Sequence, residues 1–188
     1  MTTRFYIGDS FWCMLALLIF LDTDGMTPIL LFSAAVHELG HLVMVLLCGG
    51  SITSFRLSAA GGMLHYRLPR NSRRKDFLIA AAGPAAGLIF SVVCGIFGYS
   101  LLAGTGILLN GFNLLPIAPL DGGQMLECVL DACHPLMHLL TISSLVILFI
   151  LGIYAGIQQN GWGLCLIAVL LVAERLPDLQ SACKHGKM

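Results

Sequence analysis

Charge is what this sequence has least of. Of its 188 residues, 10 are Lys or Arg and 10 are Asp or Glu, so 11% are charged while 57% are hydrophobic. So few charges cannot clothe the surface of a soluble domain, and the composition is that of a multi-spanning membrane protein. The formal net charge is zero, which gives no sign of a nucleic-acid partner. Cysteine supplies no framework either. The seven thiols (Cys13, Cys48, Cys94, Cys128, Cys133, Cys165 and Cys183) are odd in number and form no C-x-x-C pair. Most lie in apolar runs and read as small buried hydrophobes. Nor is a cleavable leader expected. The run Phe11 to Leu21 is followed by Asp22-Thr23-Asp24 without a small-residue cleavage pattern, so it is expected to stay as a first span.

What is present is apolar and segmented. Hydrophobic stretches fall at about 5–21, 26–48, 77–97, 101–120, 136–157 and 161–176. A span needs about 20 apolar residues, with about 17 as the lower limit, so the first and last are short. The expected fold is an all-α polytopic membrane protein of about six transmembrane helices, forming one membrane-embedded domain over residues 1–188. Six crossings put the N-terminus, the 49–76 segment, the 131–135 turn and the C-terminal tail on one side. All ten cations fall there: Arg4, Arg56, Arg67, Arg70, Arg73, Arg74, Lys75, Arg175, Lys184 and Lys187. By the positive-inside rule that side is cytoplasmic, which makes this a multi-pass cell-membrane protein with both termini inside. Ser51–Leu57 and Met63–Leu68, joined by a small-residue link, read either as a β-hairpin at the cytoplasmic boundary or as a plain basic loop. A hairpin over 51–68 would offer an edge on which an extended peptide can pair.

Chemistry concentrates in the second stretch. His37 and His41 are four apart, so on a helix both rings project from one face, with Glu38 beside the first. This H-E-x-x-H spacing provides two zinc ligands and a general base. Charge at membrane depth persists only when paired or coordinated, so a purely structural role for the pair is the weaker reading. The fourth stretch carries Asn110-Gly111-Phe112-Asn113-Leu114-Leu115-Pro116-Ile117-Ala118-Pro119-Leu120-Asp121-Gly122-Gly123. Its two prolines break the helix, and broken backbone at membrane depth lines a cavity or lies buried in protein. Asp121 is therefore a candidate third ligand. An Asp-Gly turn closing the helix is the plainer alternative, and Glu127 is a competing carboxylate. Ala80-Ala81-Ala82-Gly83-Pro84-Ala85-Ala86-Gly87 reads as close helix packing with a proline kink, without chemistry of its own. His134 and His138 read as boundary residues, not a second metal site.

The two main motifs together resemble the site-2 protease family of intramembrane zinc metalloproteases. The likeness rests on His37-Glu38-Leu39-Gly40-His41 and on Asn113-Leu114-Leu115-Pro116 with Leu120-Asp121-Gly122-Gly123. Gly83-Pro84-Ala85-Ala86-Gly87 is similar to a recurrent glycine-proline segment of the family. The resemblance implies one zinc ion held by His37, His41 and Asp121, with Glu38 as catalytic base and Asn113 positioning substrate. It implies a single-span or membrane-tethered protein substrate, such as a pro-sigma or anti-sigma factor, and either a homo-oligomer or a regulatory membrane partner. The compact chain, with no room for an added PDZ or CBS domain, is most similar to the bacterial branch containing the stage IV sporulation protease FB. Two rival functions are a zinc-binding membrane transporter and a protease-like scaffold that binds without cleaving. A transporter should show internal repeats and a polar path across the bilayer, and neither is evident.

Overall fold

The computed structural model describes residues 4–22, 25–58, 61–69, 72–117, 120–130 and 135–159. The expected sixth span at 161–176, the 131–134 turn and the C-terminal tail lie outside the described residues. Two compact units divide the chain, Met1–Asn113 and Leu114–Met188.

The first unit opens with strand β1 (Arg4–Ile7) and helix α1 (Asp9–Leu21). The stretch expected as one span at 5–21 is therefore two elements. Gly8 separates them in an extended conformation at the N-cap of α1. Phe5 stacks on Phe55 with ring centroids 5.5 Å apart, and the Arg56 guanidinium lies 5.3 Å from the centre of the Tyr6 ring. These sheet contacts draw the apolar start of the chain into a strand. The 13 residues of α1 span roughly 20 Å, short of a hydrocarbon core of about 30 Å.

Helix α2 (Thr27–Leu47) starts with Pro28 in its first turn, where the missing amide hydrogen costs nothing. The Asp22 carboxylate accepts from the amides of Met26 and Thr27 at 2.7 and 2.8 Å, satisfying donors that open the helix. At the other end, Lys75 Nζ donates to the Cys48 carbonyl at 2.9 Å. Two strands follow, β2 (Ser51–Ser58) and β3 (Gly61–Arg67), paired antiparallel. The hairpin alternative is thus the one adopted. It belongs to a three-stranded sheet of order β1-β2-β3, in which β1 runs parallel to β2 with Arg4 opposite Ser54. A register shift between Ile52 and Ser54 turns out Thr53, whose hydroxyl donates to the His65 carbonyl at 2.9 Å.

Helices α3 (Arg73–Ile96) and α4 (Ser100–Asn113) complete the unit, and α2, α3 and α4 pack on one another. Glycine sets the α2–α3 approach: a Cβ on Gly40 would lie 2.5 Å from the Ala82 carbonyl oxygen and 2.8 Å from the Ala86 methyl. Phe32 and Phe90 close the same crossing at 5.7 Å. Inside the bundle lie Val45, Ile79, Ala80 and Cys94, together with polar His37, His41, Ser91 and Asn110. Outside are large apolar side chains such as Leu47, Ile89, Ile96 and Leu108. This is the inverse of a water-soluble helix bundle and suits a lipid solvent.

The second unit contains α5 (Asp121–Val129) and α6 (Pro135–Gln159). The stretch expected as one span at 101–120 is corrected here: α4 stops at Asn113, and α5 begins afresh at Asp121. Pro116 cannot donate, and its ring disfavours a helical Leu115 before it, so the helix ends ahead of the prolines. The linker is tied down locally, with the Ile117 amide donating to the Leu115 carbonyl at 2.8 Å and Thr141 Oγ1 donating to the Pro116 carbonyl at 3.0 Å.

Among the described residues there are six helices, but they are not six spans. Two, α2 and α3, are long and apolar enough to cross a membrane, while α1 and α6 contribute the shorter apolar stretches Phe11–Phe20 and Leu139–Ile150. Helix α5, with 9 residues, is too short to span.

Candidate metal centre

Both histidines of the H-E-x-x-H stretch lie on the buried face of α2, His37 5% and His41 9% exposed. Their rings meet edge to face, with centroids 4.8 Å apart. Each Nδ1 has a defined partner. His41 Nδ1 lies 2.7 Å from the Ile79 carbonyl oxygen on α3. A carbonyl only accepts, so His41 donates from Nδ1 and keeps its lone pair on Nε2. His37 Nδ1 lies 2.8 Å from Asn110 Oδ1 on α4.

The two Nε2 atoms converge at 3.2 Å. Two imidazole nitrogens bound to a tetrahedral zinc ion, each about 2.0–2.1 Å from it, lie about 3.3 Å apart. Converging acceptor nitrogens at this spacing are what a cation between them stabilises, so the pair fits a metal on its own geometry.

Room for the rings comes from α3. A Cβ added to Gly83 would overlap the His41 ring, and one added to Gly87 would overlap the Asn110 carboxamide. These glycines are one helical turn apart, matching the one-turn spacing of the two histidines. Pro84 sits inside α3 and removes the amide hydrogen that would reach back to Ala80, loosening the turn from which the Ile79 carbonyl meets His41. The Gly-Pro-Ala-Ala-Gly stretch, expected to serve packing alone, also shapes the surroundings of the histidines. Nothing local in the sequence marks that role; it arises where two helices cross.

Glu38, next to His37 on α2, is half-buried and accepts a hydrogen bond at Oε1 from the Gly62 amide, 3.3 Å away. A Cβ on Gly62 would lie 2.6 Å from the Glu38 carboxyl carbon, so glycine is what lets β3 approach the carboxylate. Histidines and glutamate are thus brought together within the first unit, bordered by α3, α4 and the start of β3. Asn113 closes α4, and its amide donates to the Leu109 carbonyl at 3.2 Å in its own helix. In the second unit, Asp121 is the first residue of α5 and is 9% exposed. A carboxylate there is favoured by the amides and dipole of the helix start. Gly122 beside it is required by close approach, because a Cβ would overlap the Leu114 carbonyl. Glu127 lies further along α5, short of two turns beyond Asp121.

Residues 26–103 match the model of Peptidase family M50. That segment is similar to family M50. It contains His37, Glu38, His41 and both glycines of α3. Among curated relatives, the chain is 34% identical over 125 residues to putative zinc metalloprotease Rip3 of Mycobacterium tuberculosis, covering 58% of this chain and 32% of Rip3. It is 28% identical over 186 residues to zinc metalloprotease MJ0392 of Methanocaldococcus jannaschii, covering 81% of this chain and 51% of the relative. The chain therefore spans about half or less of the length of these relatives. Among solved structures, the site-2 protease from Methanocaldococcus jannaschii aligns with a TM-score of 0.61 at 24% identity, over 91% of this chain and 88% of that one. The fold is thus that of a site-2 protease. Family M50 is a membrane-embedded family of zinc metalloproteases, and the His37–His41 geometry suits that ion.

Proposed function

We propose that the chain is an intramembrane zinc endopeptidase that hydrolyses a peptide bond in or near the transmembrane segment of a membrane-tethered regulatory protein, such as a pro-sigma or anti-sigma factor. In this reading residues 1–188 form one catalytic domain in the cell membrane with cytoplasmic termini. A placement near the stage IV sporulation protease FB is supported by the compact core with its hairpin. The ion is held by His37, His41 and Asp121, Glu38 is the catalytic base, and Asn113 helps position substrate. The observation that carries the reading is the convergence of the two Nε2 atoms at 3.2 Å on the helix that also bears Glu38. With Asp121, buried at the start of α5, as the third ligand, the set would be two imidazoles and one carboxylate, of the kind that leaves a catalytic zinc ion one open position.

When bound, zinc supplies a Lewis acid that activates water and polarises a peptide carbonyl. Glu38 takes the proton of the attacking water and delivers it to the leaving amine, a general acid–base role that contributes about 10²–10⁴-fold. The Gly62 amide holds that carboxylate at the head of β3. Because β3 is an edge strand of the sheet, an extended peptide can add along it and arrive beside Glu38. Strand addition also unwinds the substrate helix, whose carbonyls are otherwise occupied by internal hydrogen bonds.

The test is co-expression with candidate single-span regulators, reading product mass for wild type and Glu38→Gln alongside bound zinc. The expected result is a defined product from wild type, with zinc retained and cleavage reduced at least about 100-fold in the variant. Cleavage at the wild-type rate by zinc-loaded Glu38→Gln removes Glu38 from the scheme. Zinc uptake into sealed vesicles without peptidase activity would instead identify a transporter.

A further inference from the structure

We infer that Asn110 is a positioning residue of the metal centre: its carboxamide fixes the ring orientation and tautomer of His37, so that Nε2 is the nitrogen offered to the ion. This deepens the reading above and rests on it.

Asn110 is fully buried on α4. The two ends of a carboxamide are told apart by what each one meets. Nδ2 lies 2.7 Å from the Gly106 carbonyl oxygen, one turn back on the same helix. That oxygen can only accept, so the amino end is fixed there and Oδ1 is turned to His37 Nδ1 at 2.8 Å. Oδ1 in turn can only accept, so Nδ1 of His37 carries the proton. In a neutral imidazole that places the lone pair on Nε2.

Space enforces the same arrangement. A Cβ at Gly87 on α3 would overlap the oxygen, nitrogen and carbon of the Asn110 carboxamide together. The group is thus enclosed between α2, α3 and α4. The contrast with His41 makes the role specific. His41 is oriented by a backbone carbonyl, that of Ile79, which no side-chain substitution removes. His37 is oriented by a side chain, so its orientation can be altered at one residue.

Packing alone would be served by leucine, which nearly matches asparagine in length and branching but cannot accept from Nδ1. Outer-shell hydrogen bonds to metal-bound histidines are worth about 10–100-fold in metal affinity. The test uses full-length detergent-purified wild type, Asn110→Leu and Asn110→Asp. Zinc affinity is read by competition with a chromophoric chelator, and site geometry by the visible absorption of the cobalt-substituted protein. The expected result is an affinity loss of about 10–100-fold in Asn110→Leu with altered cobalt bands, and partial recovery in Asn110→Asp, one of whose carboxylate oxygens accepts from Nδ1 while the other has no proton for the Gly106 carbonyl. Wild-type affinity and cobalt spectrum in Asn110→Leu overturn the inference and leave the metal centre standing. Wild type that takes up no zinc overturns both. Should Asn110→Leu not fold, ¹⁵N-histidine resonances of the metal-free wild type decide the matter. A proton on Nδ1 of His37 supports the inference, and a proton on Nε2 overturns it.

Discussion

Gly83 governs how near α3 can come to the His41 ring, and one added methyl should reveal its hold. In Gly83→Ala the new Cβ occupies the space of the imidazole, so either the helix or the ring must shift. Overpacking of this kind costs about 1–3 kcal/mol, and a displaced ligand should weaken zinc binding at least about tenfold. Thermal unfolding and zinc quantification on one preparation would show both effects; unchanged zinc affinity would deny Gly83 its part in placing His41. The third ligand is open to a similarly direct comparison. Asp121→Ala should empty the protein of zinc while Glu127→Ala keeps it, as read by metal content after purification; the reverse pattern would transfer the role to Glu127. At this scale the sequence was informative where the chemistry is local. His37 and His41 lie one helical turn apart, so their spacing alone predicts a common face with Glu38 beside the first of them. Asn110, Gly83 and Gly87 could not be read that way, because their parts depend on which helices cross and at what height.

Strands carry the next lesson. The hairpin over 51–67 was legible, if ambiguously, from its mixed β-tolerant composition and the small residues between its arms. Strand β1 was not, since Phe5-Tyr6-Ile7 merges into the apolar run of α1 and its partner lies beyond two helices. The end of α4 was half legible: the prolines announced a break, but the helix yields at Asn113, before the first of them. The hairpin also yields a prediction. The Gly62 amide points away from β2 towards Glu38, and alternation along an antiparallel strand puts the Leu64 amide on that same outer edge. Leu64→Pro deletes this outward donor while sparing the pairing with β2. Cleavage should fall about tenfold, the worth of one hydrogen bond of about 1.4 kcal/mol, with bound zinc unchanged. Kinetics at equal zinc occupancy would check it, and an unaltered rate would separate substrate from this edge.

For the whole molecule, composition announced lipid as the solvent, and the outward array of large apolar side chains on α2–α4 agrees. A metal held by the native state alone also makes that state more stable. Chelation should therefore lower the unfolding temperature, with about 2.7 kcal/mol at stake when free zinc stands at 100 times its dissociation constant. Scanning fluorimetry with and without chelator would measure the shift, and coincident melts would argue that the histidine pair holds no ion. The parallel pairing of β1 with β2 bears on biosynthesis. β1 leaves the ribosome ahead of its neighbour β2, which is translated only after α1 and α2. The nascent chain must therefore keep β1 waiting, and the sheet beside Glu38 is completed only after α2 has been made.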